Sequence, residues 1–165
     1  MGTPQPLTVS QLELLQIRAQ LIGWFPNLRH EHFEPVSTDS DEYNCIAWAA
    51  DVVDDYWWPH PNPADSFWPI QWRSEERACF IEAFRQSRNY EPCGTDFSLE
   101  SGYEKVVLYE RNGTPTHMAR QLESGRWVSK CGVWGWDIVH QSIHGVEGSD
   151  YGSAVVVMRR PILRS

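Results

Sequence analysis

Long apolar runs are missing from this sequence, and so is any cluster of basic residues. No stretch approaches the about 18 consecutive apolar residues that mark a membrane span, so no membrane partner is expected. The first ten residues, MGTPQPLTVS, lack both a basic and an apolar region of a secretory leader. Met1-Gly2 opens like a myristoylation signal, but Pro6 stands where Ser or Thr is required. With a net charge of −8 and no Lys/Arg patch to override it, the chain would repel a polyanion, and nucleic acid is not expected as a partner. Gly-rich phosphate loops of the P-loop or dinucleotide type are also lacking. Cysteine is scarce. Cys45, Cys79, Cys93 and Cys131 are irregularly spaced, which fits free thiols in a reducing, cytoplasmic compartment better than a secreted disulfide scaffold. No two of them lie within ten residues of each other, against the close ligand pairs that zinc favours. The pairs His30/His32 and His140/His144 bring no third ligand, so neither a metal nor an organic cofactor is expected.

What is present is the material of one globular domain. The 165 residues are 41% hydrophobic and 22% charged, enough for a core without staples. Nine tryptophans point to a heavily aromatic core or to a binding surface. Ser10 and Glu13 have the spacing of a capping box. Behind them Leu12, Leu15, Ala19 and Ile22 recur at helical spacing, predicting a helix over about 10–23. Residues 26–40 read as a loop. A second helix is expected over about 44–56, with Cys45 in its first turn and Cys45, Ala49, Val52 and Tyr56 along one face. Residues 57–72 carry four prolines interleaved with tryptophans, which forbids a regular helix and predicts an ordered aromatic loop. Ser74 with Glu75 and Glu76 would cap a third helix over about 74–88, burying Phe80, Ile81 and Phe84 and ending near Asn89. Strands are expected over about 104–111, 115–122, 126–130 and 153–159. Asn112-Gly113 has the signature of a tight hairpin turn, so its match to a glycosylation sequon is read as a turn only. Helices first and a strand meander afterwards predict an α+β domain, with the helices covering one face of an antiparallel sheet of three to five strands.

The chemistry-bearing residues converge on a thiol and an imidazole. A cysteine at a helix N-terminus meets free N–H groups that stabilise a thiolate and also hold an oxyanion. His117, on a strand of the sheet this helix must cover, is the natural base. The segments Tyr43-Asn44-Cys45-Ile46-Ala47-Trp48-Ala49 and Thr116-His117-Met118-Ala119-Arg120 resemble the papain-like Cys–His superfamily, particularly compact bacterial members such as the NlpC/P60 hydrolases. The pattern that adds WVSK, DIVH and YG is also similar to a family of small bacterial proteins with no assigned activity. The first resemblance implies a papain-like core and a peptide or small amide substrate. It also implies a polar residue after the base strand that fixes the imidazole. A three-residue turn at Glu123-Ser124-Gly125 would put Ser129 on the His117 face, whereas a two-residue turn would put Lys130 there. Asp137 and His140 are chemically better candidates in the connection that follows. Asn44 and Tyr43 are candidate oxyanion donors, and Trp48, Trp57, Trp58 and Trp68 candidate walls for a substrate. The reading is therefore a cysteine-dependent hydrolase or acyltransferase acting on an amide or thioester. The alternative is a non-catalytic binding protein that meets a protein partner through residues 57–72.

Overall fold

The computed structural model describes residues 4–37, 42–131 and 136–163. Ser10 accepts the Glu13 N–H and opens helix α1, Gln11–Trp24. Its inner face is Ile17 and Leu21, both buried. The expected stripe faces the other way: Leu12 is 66% and Leu15 64% exposed, and Ala19 is exposed too. The helix carries apolar residues on two opposite faces, so periodicity alone could not say which would be buried.

The region expected to be a loop holds a 3-10 helix, Pro26–His30, and strand β1, Phe33–Ser37. Pro35 lacks an N–H for a ladder, but β1 is the edge strand of the sheet, bridged on its outer side at Val36 to Pro6, so the missing donor is tolerated. Helix α2 is only Cys45–Ala49, much shorter than the expected 44–56. Asp51 adopts a left-handed conformation (φ 65°). The N–H groups of Asp51 and Val52 turn back to the carbonyls of Trp48 and Ala47, a Schellman closure in which an aspartate takes the usual glycine position. Helix α3 is Arg77–Arg88 and starts later than expected, because Glu76 holds the cap position and Ser74 bonds the Glu76 carboxylate instead. Asn89, also left-handed, ends it.

Strands β2 (Glu91–Pro92), β3 (Tyr103–Arg111), β4 (Thr114–Gln121), β5 (Trp127–Ser129), β6 (Trp136–His140) and β7 (Ser153–Pro161) complete one seven-stranded sheet. Its order is β1-β6-β5-β4-β3-β7-β2, with every pairing antiparallel. This corrects the expected fold class: the chain does not build a papain-like core of N-terminal helices on three to five strands. The sheet is the body of the molecule, and the short helices α1, α2 and α3 lie on both faces rather than one. Val106, Leu108, Met118, Val128 and Val139 pack with α2, α3 and Trp57 and Trp68. Val107, Tyr109, Ala119, Trp127 and Ile138 pack with α1 and with Ile143 and Val146. The alternation follows the two-residue period of a strand. Two buried layers explain why residues 106–109 of β3 read as a continuous apolar run instead of an alternating one.

Candidate functional site: a thiol beside a histidine–serine–histidine chain

Asn44 builds the thiol's setting. Its Oδ1 accepts the N–H groups of Ala47 and Trp57 at 3.0 and 3.1 Å, and its Nδ2 donates to the Trp57 carbonyl at 2.8 Å. One side chain thus caps α2 and ties it to the aromatic loop. Cys45 is half-buried. Backbone N–H groups of Met118, Cys45 and Ile46 point at its sulfur, with Lys130 nearby, and all four favour the thiolate. Burial outweighs them and pushes the thiol above its ordinary value. A five-residue helix adds little dipole to counter that burial. The resting group is a neutral thiol.

The Met118 N–H reaches the sulfur because β5 is short. It pairs with β4 only at Arg120 and Gln121, so the edge of β4 beyond Ala119 is open to α2. Met118 and Cys45 pack with the α2 layer. His117, directly across from Tyr109, projects to the α1 layer. Thiol and imidazole thus flank the same peptide unit at the open edge of β4, and Cys131 and Tyr151, which pack in the α1 layer, interact with the sulfur. No direct hydrogen bond joins them among the described residues.

His117 is 1% exposed, and Ser129 and His140 are fully buried. Leu122 N–H donates to the Arg126 carbonyl, which sets a three-residue turn and puts Ser129 on the His117 face. Ser129 Oγ lies 2.9 Å from His117 Nε2 and 2.8 Å from His140 Nε2. His140 Nδ1 lies 2.7 Å from the Ser142 carbonyl. A carbonyl only accepts, so the His140 proton is on Nδ1 and its Nε2 is a lone pair. Ser129 must donate its single proton to that lone pair and accept from His117. His117 therefore carries its proton on Nε2, leaving its lone pair on Nδ1. Burial drives both imidazoles toward neutrality. His117 is lowered to about 3, with His140 adding to the effect, and His140 is lowered to about 4.

Two features that sequence reasoning passed over hold this chain. The Tyr151 ring stacks on the His117 ring at 3.9 Å and 4°. Its loop is bolted down by the Thr116 hydroxyl, which donates to the Tyr151 carbonyl at 2.6 Å. A Cβ on Gly152 would lie 1.9 Å from the Glu110 carbonyl, so only glycine permits that approach. The Glu31 carboxylate accepts the N–H groups of Gln141 and Ser142 and the Ser142 hydroxyl, at 3.0, 3.1 and 2.6 Å. It thereby presents the Ser142 carbonyl to His140. The sequence signal for the first was the YG pair at 151–152. Glu31 gave none, being 111 positions from Ser142.

The other expected site residues are dispersed. Asp137 lies on β6 as His140 does, but three positions away and so on the opposite face, where its Oδ1 accepts the Cys131 N–H at 3.1 Å. Tyr43 is buried, stacked with Trp48 at 6.1 Å, and Lys130 Nζ sits 4.2 Å from its ring centre. The Trp48 indole N–H is buried without a hydrogen-bond partner. Trp57 and Trp68 are core residues against Phe84 and Phe80. Trp58 is half-buried, with its indole donating to Glu75. What the 57–72 loop leaves at the surface is an open groove of about 720 Å³ bordered by Pro61, Pro63, Ile70 and Arg73.

Among the described residues no group of three metal-ligating side chains is present. Among them, too, no helix is long and apolar enough to cross a membrane. No curated protein matches the chain, and no solved structure does. Residues 34–159, which hold every sheet strand except the first residue of β1 and the last two of β7, match the model of a family described as a domain of unknown function, DUF7689, and the chain belongs to that family.

Proposed function

We propose that the protein is a cysteine-dependent hydrolase or acyltransferase for a peptide or small amide or thioester, with Cys45 as nucleophile and His117 as base. The observation that carries the reading is the hydrogen-bond chain from Ser142 through His140 and Ser129 to His117. It fixes a neutral imidazole with its lone pair on Nδ1, next to the peptide whose N–H reaches the sulfur. In the step itself the sulfur bonds to the carbonyl carbon while its proton passes to Nδ1. The N–H groups at the sulfur take the developing oxyanion. The leaving amine or thiol then takes the proton from Nδ1, giving a thioester on Cys45. Water or another acceptor, deprotonated by the same Nδ1, releases the acyl group and restores the thiol. The likeness to Cys–His hydrolases is one of chemistry and not of architecture. Four free cysteines suit a reducing compartment, and the cytoplasm is part of this proposal.

Acylation by p-nitrophenyl acetate, followed by intact-mass and peptide mapping, tests the reading. One acetyl group should appear on Cys45, and His117→Ala should slow its formation by about 10²–10⁴. Labelling spread over the other cysteines, or an unchanged rate in His117→Ala, would overturn it.

A further inference from the structure

Helix α1 is apolar on two opposite faces. Ile17 and Leu21 are buried against the sheet, whereas Leu12, Leu15 and Ala19 face solvent and Ile22 lies half-covered at the end of the same stripe. A surface helix of a globular domain normally carries one apolar stripe, so a second marks a missing neighbour. The spacing 12, 15, 19, 22 is the three-four alternation of a helix-pairing seam.

The residues themselves say what kind of neighbour fits. If two such helices run antiparallel about a two-fold axis, Leu12 of one meets Ile22 of the other, and Leu15 meets Ala19. Each large side chain on the inner rungs then faces a small one, the complementarity that lets two helices approach closely. A two-fold contact requires one patch to be complementary to itself, and this one is. Charge gives a second argument. The chain carries −8, so most of its surface would repel a copy of itself. The flanks of the seam, Gln11, Gln16 and Gly23, are uncharged. Arg18, which also borders it, is turned inward, donating to the Phe33 carbonyl at 2.7 Å with its guanidinium 4.1 Å over the Phe33 ring. Two copies therefore meet there without bringing like charges together.

We infer that a second copy of this chain packs its α1 antiparallel along the Leu12–Leu15–Ala19–Ile22 seam. Size sets the strength. A helix of 14 residues is about 21 Å long. A single ridge along it covers well under the about 800 Å² per partner of a stable interface, so the dimer is weak and forms with rising concentration.

Sedimentation velocity on the full chain between about 10 μM and about 1 mM tests this. The weight-average mass should climb from 19.1 kDa toward twice that value. Leu12→Ser with Leu15→Ser should abolish the rise while leaving circular dichroism and the melting temperature unchanged, since neither side chain is part of a core. Ala19→Leu should weaken association at least several-fold, because it sets two large side chains face to face. A wild type that stays at 19.1 kDa throughout would overturn the inference, whatever else covers the stripe. Association that survives the double serine variant, or that tightens in Ala19→Leu, would do the same. None of these readings depends on the acyl-transfer chemistry.

Discussion

Lowering the pH from 7 to 5 should destabilise the protein through two buried histidines, before most carboxylates titrate. His117 and His140 are lowered to about 3 and about 4 in the folded chain, whereas both return to about 6.5 when it unfolds. Each folded value is depressed, so the unfolded state binds more protons as the pH falls below 6.5. The stabilisation is complete above that value and is lost progressively as the pH drops toward 4 and then 3. For each histidine the change between pH 7 and 5 is about 2 kcal/mol, or about 4 kcal/mol for the pair. Both side chains are almost fully buried, so solvent screening takes little from these figures. Urea denaturation at pH 7, 6 and 5 measures the loss. NMR titration of the two imidazoles on the folded protein should show neither midpoint above 5. Equal stability at pH 7 and 5, or a folded-state midpoint near 6.5 for either ring, would refute the assignment of two neutral, desolvated histidines.

Two substitutions probe the same architecture. Ser129→Ala removes the hydroxyl between two buried nitrogens, leaving the His117 N–H and the His140 lone pair unpaired, and should cost about 2–6 kcal/mol; a loss below 1 kcal/mol by urea denaturation would contradict the chain. Asn44→Ala deletes three hydrogen bonds that join α2 to the aromatic loop and should cost about 2–4 kcal/mol. It should also raise acrylamide quenching of tryptophan fluorescence, an effect absent if Asn44 only caps the helix.

The sequence is most informative where a local signal agrees with tertiary packing. The Asn112-Gly113 turn adopts the two positive φ values that its residues favour (53° and 79°), and strands lie on either side of it. Ser10 caps α1, and the prolines of 57–72 keep that loop irregular. What stayed illegible depended on contacts far apart in the chain. The α2 helix stops after five residues because Asp51 accepts a left-handed conformation and the Arg88 guanidinium takes the Ala50 carbonyl at 2.8 Å. No glycine announces that end. The edge strand β1 contains a proline, and its partner β6 is buried on both faces with a polar residue on each, Asp137 and His140, so neither alternates. Of the candidate site, Cys45, His117, Ser129 and His140 could be nominated from residue type and turn length. The order in which the last three bond could not, because it is set by the Ser142 carbonyl and by Glu31. The thiol's elevated affinity for its proton was hidden too, since it follows from burial that only the folded chain reveals.

The proposed chemistry turns on one atom, the Nδ1 of His117, and ¹⁵N NMR of the histidine side chains interrogates it directly. His117 should display a bare, pyridine-type Nδ1 and a protonated Nε2 at neutral pH, and alkylating Cys45 should move the Nδ1 resonance far more than either nitrogen of His140. A proton on Nδ1, or a resonance indifferent to modification of Cys45, would contradict the pairing of this thiol with this base.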